Sequence, residues 1–207
     1  MSLPSTDPKA LCLEINERSP AGGLFEGDRA NLHPASNLPW RISPEPFWLS
    51  PEQFRYLDQL GGVLHQFYKT SNQLYHQSVK GLEPAWIRDY LDRGKPGEVI
   101  EMGLWNRIKS QLPLIIRPDL LLTEEGFKLV ELDSIPGGMG FTAQVSELYA
   151  DLGYDIIGGA RGLVEPLYEA ATAAAKVDEP NFALFVSDES EPYRREMEWL
   201  VERLQQG

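Results

Sequence analysis

Between Leu114 and Thr142 the chain reads LIIRPDLLLTEEGFKLVELDSIPGGMGFT, two apolar runs separated by Glu124-Glu125-Gly126 and followed by a glycine-rich loop. Apolar runs bounded by turn residues predict paired strands, and a three-residue loop ending in Gly predicts a hairpin with a left-handed last loop residue. Pairing Thr123 with Phe127 across that turn sets Asp119 opposite Glu131 and Arg117 opposite Asp133. Strand side chains alternate with period two, so these four charged groups share one face. Lys128 falls on the other face by the same alternation and is left out of the site. Facing carboxylates repel and destabilise a sheet. A hard divalent cation held by oxygens of Asp119, Glu131 and Asp133 would relieve the repulsion and leave Arg117 to meet phosphate. A solvated face of mixed charge, with Arg117 and Asp133 as an ordinary cross-strand pair, accounts for the same pattern.

After Asp133 the loop Ser134-Ile135-Pro136-Gly137-Gly138-Met139-Gly140 leads to a helix expected to start near Phe141 or Thr142. Backbone N–H groups around Gly137, Gly138 and Gly140, feeding a helix N-terminus, would suit an anion. A plain strand-to-helix turn is the other reading.

Arg117-x-Asp119, then Glu131-x-Asp133 and a Pro/Gly loop, resembles the magnesium-binding hairpin of ATP-grasp ligases. The resemblance is nearest to their circularly permuted branch, which includes glutathionylspermidine synthase-like carboxylate–amine ligases. It implies that Asp119, Glu131 and Asp133 hold magnesium, that Arg117 meets the transferred phosphate, and that Gly137, Gly138 and Gly140 let the backbone approach ATP or substrate. Asp133 stands where that family usually has Asn, and the loop departs from its Asn-Thr/Ala-x-x-Pro-Ser type. The implied chemistry is attack of a small-molecule carboxylate on Mg-ATP, giving an acyl phosphate that an amine captures.

A net charge of −12 and a pI near 4.7, with no Lys/Arg cluster, exclude a nucleic-acid surface. The single Cys12 excludes a disulfide framework and a cysteine-rich zinc site, and reads as a small hydrophobe. No apolar run approaches the roughly 18 residues of a membrane span, and no signal segment opens the chain, so a soluble cytoplasmic protein is expected.

Residues 1–50 predict an irregular N-terminal arm: a Pro/Ser/Gly-rich start with at most a short strand at Ala10–Leu13, then five prolines and the anchoring aromatics Trp40, Phe47 and Trp48 between Asn31 and Pro51. Ser50-Pro51-Glu52-Gln53 starts a helix that carries Phe54, Leu57, Leu60, Leu64, Phe67, Tyr68, Leu74 and Tyr75 at helical spacing to Val79, with a kink expected at Gly61-Gly62. His65 and His76 on it lack metal-pair spacing and read as polar packing residues, and His33 lies alone among prolines. Two more helices are expected at Glu83–Asp92 and Gly97–Ser110, burying Trp86, Ile87, Tyr90 and Leu91, and Val99, Ile100, Leu104, Trp105 and Ile108, and covering one face of the hairpin.

Thr142–Leu152 predicts a helix ended by Gly153, and Gly162–Lys176 an alanine-rich one. The expected organisation is α+β: an ATP-grasp-like antiparallel sheet covered by helices over 51–178, then the start of an incomplete α/β unit over 179–207. In that unit Asn181–Ser187 is a buried-type strand leading to a helix with Met197, Leu200, Val201 and Leu204. By the resemblance, the ligase would be completed by a missing half, or would act as a homo-oligomer, and would be inactive without its completion. The alternative is a non-catalytic α+β module with an acidic face for a cationic ligand or a protein partner.

Overall fold

The computed structural model describes residues 7–19, 43–135, 137–176, 181 and 183–206. His33, Trp40, Pro136 and Phe182 lie outside them. The chain is a mixed α+β protein that divides into two compact units, one of 49–135 and one of 1–48 with 136–207. The division falls on either side of the hairpin and its helices.

In the 49–135 unit, helix α2 (Pro51–Val79) starts as its sequence dictates. Ser50 accepts the Gln53 amide at 3.1 Å while the Gln53 side chain accepts the Ser50 amide at 2.8 Å, a reciprocal capping box with Pro at the first turn. Leu57, Leu60, Leu64, Tyr68 and Tyr75 form its covered stripe, whereas Phe54, Phe67 and Leu74 are exposed. The helix runs unbroken through Gly61-Gly62. Ser78, fully buried, donates to the Pro84 carbonyl at 2.7 Å and accepts the Arg88 amide at 3.2 Å, which folds α3 (Ala85–Leu91) back against α2.

Only Ile87 of the four apolar residues expected inside α3 is buried; Trp86 is 67% and Tyr90 71% exposed. They are four residues apart and lie on neighbouring turns of one flank of this seven-residue helix, which is left uncovered. Helix α4 covers only Gly97–Gly103, and Val99 is exposed. It is α2 that meets the hairpin, through Tyr56 stacked on Phe127 at 6.0 Å.

Strands β1 (Arg117–Thr123) and β2 (Gly126–Asp133) form a two-stranded antiparallel sheet. The turn is tighter than expected: Thr123 pairs with Gly126, leaving Glu124 and Glu125 as the loop, with Gly126 at φ 102°. Leu120 pairs with Leu129 but Asp119 pairs with Glu131, so Val130 is an extra, bulged residue. Turn and bulge offset each other by one residue. Asp119 thus faces Glu131 and Arg117 faces Asp133, in the expected register but by a different route.

The other unit holds the larger core. Ala143, Val164, Met197, Trp199, Leu200 and Leu204 gather α5 (Met139–Asp151), α6 (Val164–Ala175) and α7 (Arg194–Leu204). A second cluster packs Leu11 and Ile15 against Leu148, Tyr149 and Leu152. The first two residues belong to helix α1 (Pro8–Arg18), where a strand or a loose arm was expected. Asp7 caps it by accepting the Lys9 amide and Pro8 opens its first turn, so the start signal lay in Asp7-Pro8 and the buried face in the four-residue spacing of Leu11 and Ile15.

Helix α5 is ended by Gly153 at φ 92°, as expected. The expected strand at Asn181–Ser187 is not formed among the described residues. Leu184 and Val186 pack on the core while Phe185 is 95% exposed, an alternation typical of a strand but without a neighbouring strand to bond. A 3₁₀ turn (Asp188–Tyr193) then leads into α7. No helix among the described residues is long and apolar enough to cross a membrane.

Candidate functional site

The bulge decides the make-up of the hairpin's charged face. Directly paired strand residues project to the same side, and below the bulge Lys128 pairs with Leu121, which alternates in phase with Asp119 and Arg117. Lys128 therefore joins the face from which simple alternation had excluded it. The face carries Arg117 and Asp119 on β1, and Lys128, Glu131 and Asp133 on β2. Lys128 is held by Glu125 at 2.9 Å, an exposed pair that an incoming anion would displace at little cost.

The three carboxylates are not equivalent. Asp133 Oδ1 accepts the amides of Ser134 at 2.6 Å and Ile135 at 3.1 Å, folding the chain at the strand end. Its Oδ2 lies 3.5 Å from Arg117, whose guanidinium also donates to the Ile135 carbonyl at 3.1 Å. Asp133 thus orients the arginine, and Ser134 beside it is hydrogen-bonded to the Tyr68 hydroxyl of α2 at 2.7 Å. Asp119 and Glu131 are exposed and face one another.

Among the described residues no group of three or more His, Cys, Asp or Glu side chains is placed to hold a metal ion, so Asp119, Glu131 and Asp133 are not gathered into one cluster. The pair Asp119 and Glu131 still matches what magnesium takes from proteins. That ion is usually held by one or two carboxylates, with phosphate oxygens and water completing the octahedron, rather than by an all-protein cage.

The glycine loop has a different role from the one expected. It belongs to the other unit, and the anion at the N-terminus of α5 is the chain's own Glu196. Glu196 is fully buried; its Oε1 accepts the Gly138 amide and its Oε2 the Phe141 amide, both at 2.7 Å. Two charge-assisted bonds at the positive end of a helix are a strong anion site, and it is filled from within. Gly140 is where α7 crosses: a Cβ there would lie 2.2 Å from the Glu196 carbonyl oxygen. Gly138, at φ 85°, makes the left-handed entry to the helix, and a Cβ on Gly137 would press on the Tyr193 ring at 3.2 Å. The glycines permit close packing and a sharp turn; the Gly138 amide is engaged rather than offered to ATP.

The signal for Glu196 was present but distant. It lies on the same i, i+4, i+8 line as Leu200 and Leu204, an acid on an apolar stripe, and its partners are 55 and 58 residues away. His76, expected as a polar packing residue, is hydrogen-bonded to the Lys109 carbonyl at 2.8 Å.

Comparison with protein-family models, with curated proteins and with solved structures found no match.

Proposed function

We propose that the charged face of the hairpin binds magnesium-complexed ATP phosphates, and that the chain is part of an ATP-dependent carboxylate–amine ligase of ATP-grasp type. The observation that carries this reading is the register: Asp119 opposite Glu131, beside Arg117 and Lys128, on one exposed face. Like charges set directly opposite destabilise a hairpin, and a bound cation supplies the compensation. Asp119 and Glu131 would hold magnesium, and Arg117 and Lys128 would bind the phosphate oxygens, Arg117 kept in orientation by Asp133. Magnesium bound with the nucleotide supplies charge neutralisation at the phosphoryl group. The acid and the amine would be small molecules joined through an acyl phosphate.

Calorimetric titration of the chain with ATP tests this, with and without magnesium, beside the double variant Asp119→Asn/Glu131→Gln. Binding that requires both magnesium and the two carboxylates is the expected result. Equal heats for both proteins, or binding independent of magnesium, would remove the basis for the reading.

A second reading is favoured by the engagement of the loop amides with Glu196. A non-catalytic α+β module would keep the hairpin as a mixed-charge face for a cationic ligand or a partner. In that case neither the chain nor the double variant would bind ATP in a magnesium-dependent way, and the double variant would be more stable, since carboxylate repulsion is relieved.

A further inference from the structure

A cleft of about 490 Å³ opens within the 49–135 unit, bordered by α2, α3, α4 and the segment 111–113. Leu91, Val99, Ile100 and Leu112 give it apolar walls, and Tyr75 and Asp92 meet there. Asp92 is the C-terminal cap of α3, where the helix dipole disfavours negative charge. Its side chain has one protein partner among the described residues, the Tyr75 hydroxyl, which donates to Oδ1 at 2.9 Å. Lys95 lines the same cleft and donates its backbone amide to the Asp92 carbonyl at 3.0 Å, yet its ammonium forms no ion pair with Asp92. A half-buried carboxylate with a free oxygen is thus set in a largely apolar cleft, without an ion pair to it among the described residues.

We infer that this cleft binds a small apolar molecule bearing a primary ammonium group, with Asp92 taking the charge and Leu91, Val99 and Ile100 the hydrocarbon. Tyr75 fixes the polarity of the site: burial, then the hydrogen bond to Asp92 and its charge, push the phenol up to about 12. The phenol remains the donor to Asp92 Oδ1, which leaves Oδ2 turned to a ligand. Ligand pockets of this kind combine apolar walls with a few convergent polar groups. The inference does not depend on the hairpin face, and its test uses neither nucleotide nor magnesium.

The experiment is an NMR-monitored titration of the full chain with 2-phenylethylamine, beside its neutral analogue 2-phenylethanol. Saturable amine binding is expected, moving amides of 72–76 and 91–100, with the alcohol weaker by about tenfold or more because the charge-assisted bond is lost. Asp92→Asn should lose the same preference, and Val99→Trp, which fills the cleft, should abolish binding with Asp92 intact. Equal affinity for amine and alcohol, wild-type binding by Asp92→Asn, or no saturable amine binding would overturn the inference. If Asp92→Asn does not fold, Val99→Trp decides, since undiminished amine binding there is equally fatal.

Discussion

Replacing Glu196 by Ala leaves the amides of Gly138 and Phe141 buried without an acceptor. The expected loss is about 3 kcal/mol, read as a lower urea midpoint of the full chain, because unsatisfied buried donors carry their full desolvation cost. Glu196→Gln keeps one acceptor oxygen and should lose about half as much. Unchanged midpoints in both variants would show that the carboxylate does not cap α5. Tyr75 gives a pH prediction. Its phenol is raised from 10.0 to about 12, so the neutral form is favoured by the fold. The contribution is fully present below pH 10 and is lost as pH rises through about 12. Burial raises the Tyr149 phenol as well, so an ultraviolet titration should show a late-ionising tyrosine fraction that Tyr75→Phe reduces; an unchanged curve would refute the assignment. Neither residue announced itself in the sequence as part of a site. Glu196 needed the α5–α7 crossing, and Tyr75 needed Asp92, which is 17 residues on and brought back by the turn after α2.

At the scale of elements, local chemistry was the most legible. Ser50-Pro51-Glu52-Gln53 specified the start of α2, and apolar runs bounded by turn residues specified the hairpin, because both depend on neighbours within a few residues. The bulge at Val130 was not legible, since a two-residue turn with a bulge and a three-residue loop set the same carboxylates opposite each other. The faces taken by Phe127, Lys128 and Leu129 distinguish them. The strand expected at 181–187 had the right alternation but no partner strand, which its own residues cannot specify.

Three substitutions test element geometry directly. A Cβ at Gly61 or Gly62 would meet nothing within 4 Å, so Gly61→Ala and Gly62→Ala should each raise stability by about 1 kcal/mol. Gly126, at φ 102°, should instead lose about 1–2 kcal/mol on change to Ala. Thermal melts of the three variants would show opposite shifts; a stabilised Gly126→Ala would contradict the two-residue turn.

Over the whole molecule, the division into two units separates features that are continuous in sequence. The run from Arg117 to Gly140 looked like one site, yet its carboxylate face is built in one unit and its glycine loop serves the core of the other. That separation was invisible in sequence because Ile135-Pro136-Gly137 reads equally well as a loop within a site or as the passage between two units. On the proposed function, phosphate and metal would meet the hairpin and not the glycine loop. Manganese(II), a paramagnetic substitute for magnesium, reports place directly when added with ATP at low ratio to the isotopically labelled chain. The account predicts selective broadening of the backbone amides of Arg117, Asp119, Glu131 and Asp133, abolished in Asp119→Asn/Glu131→Gln. Broadening centred on Gly137–Phe141, or spread evenly over the chain, would contradict it.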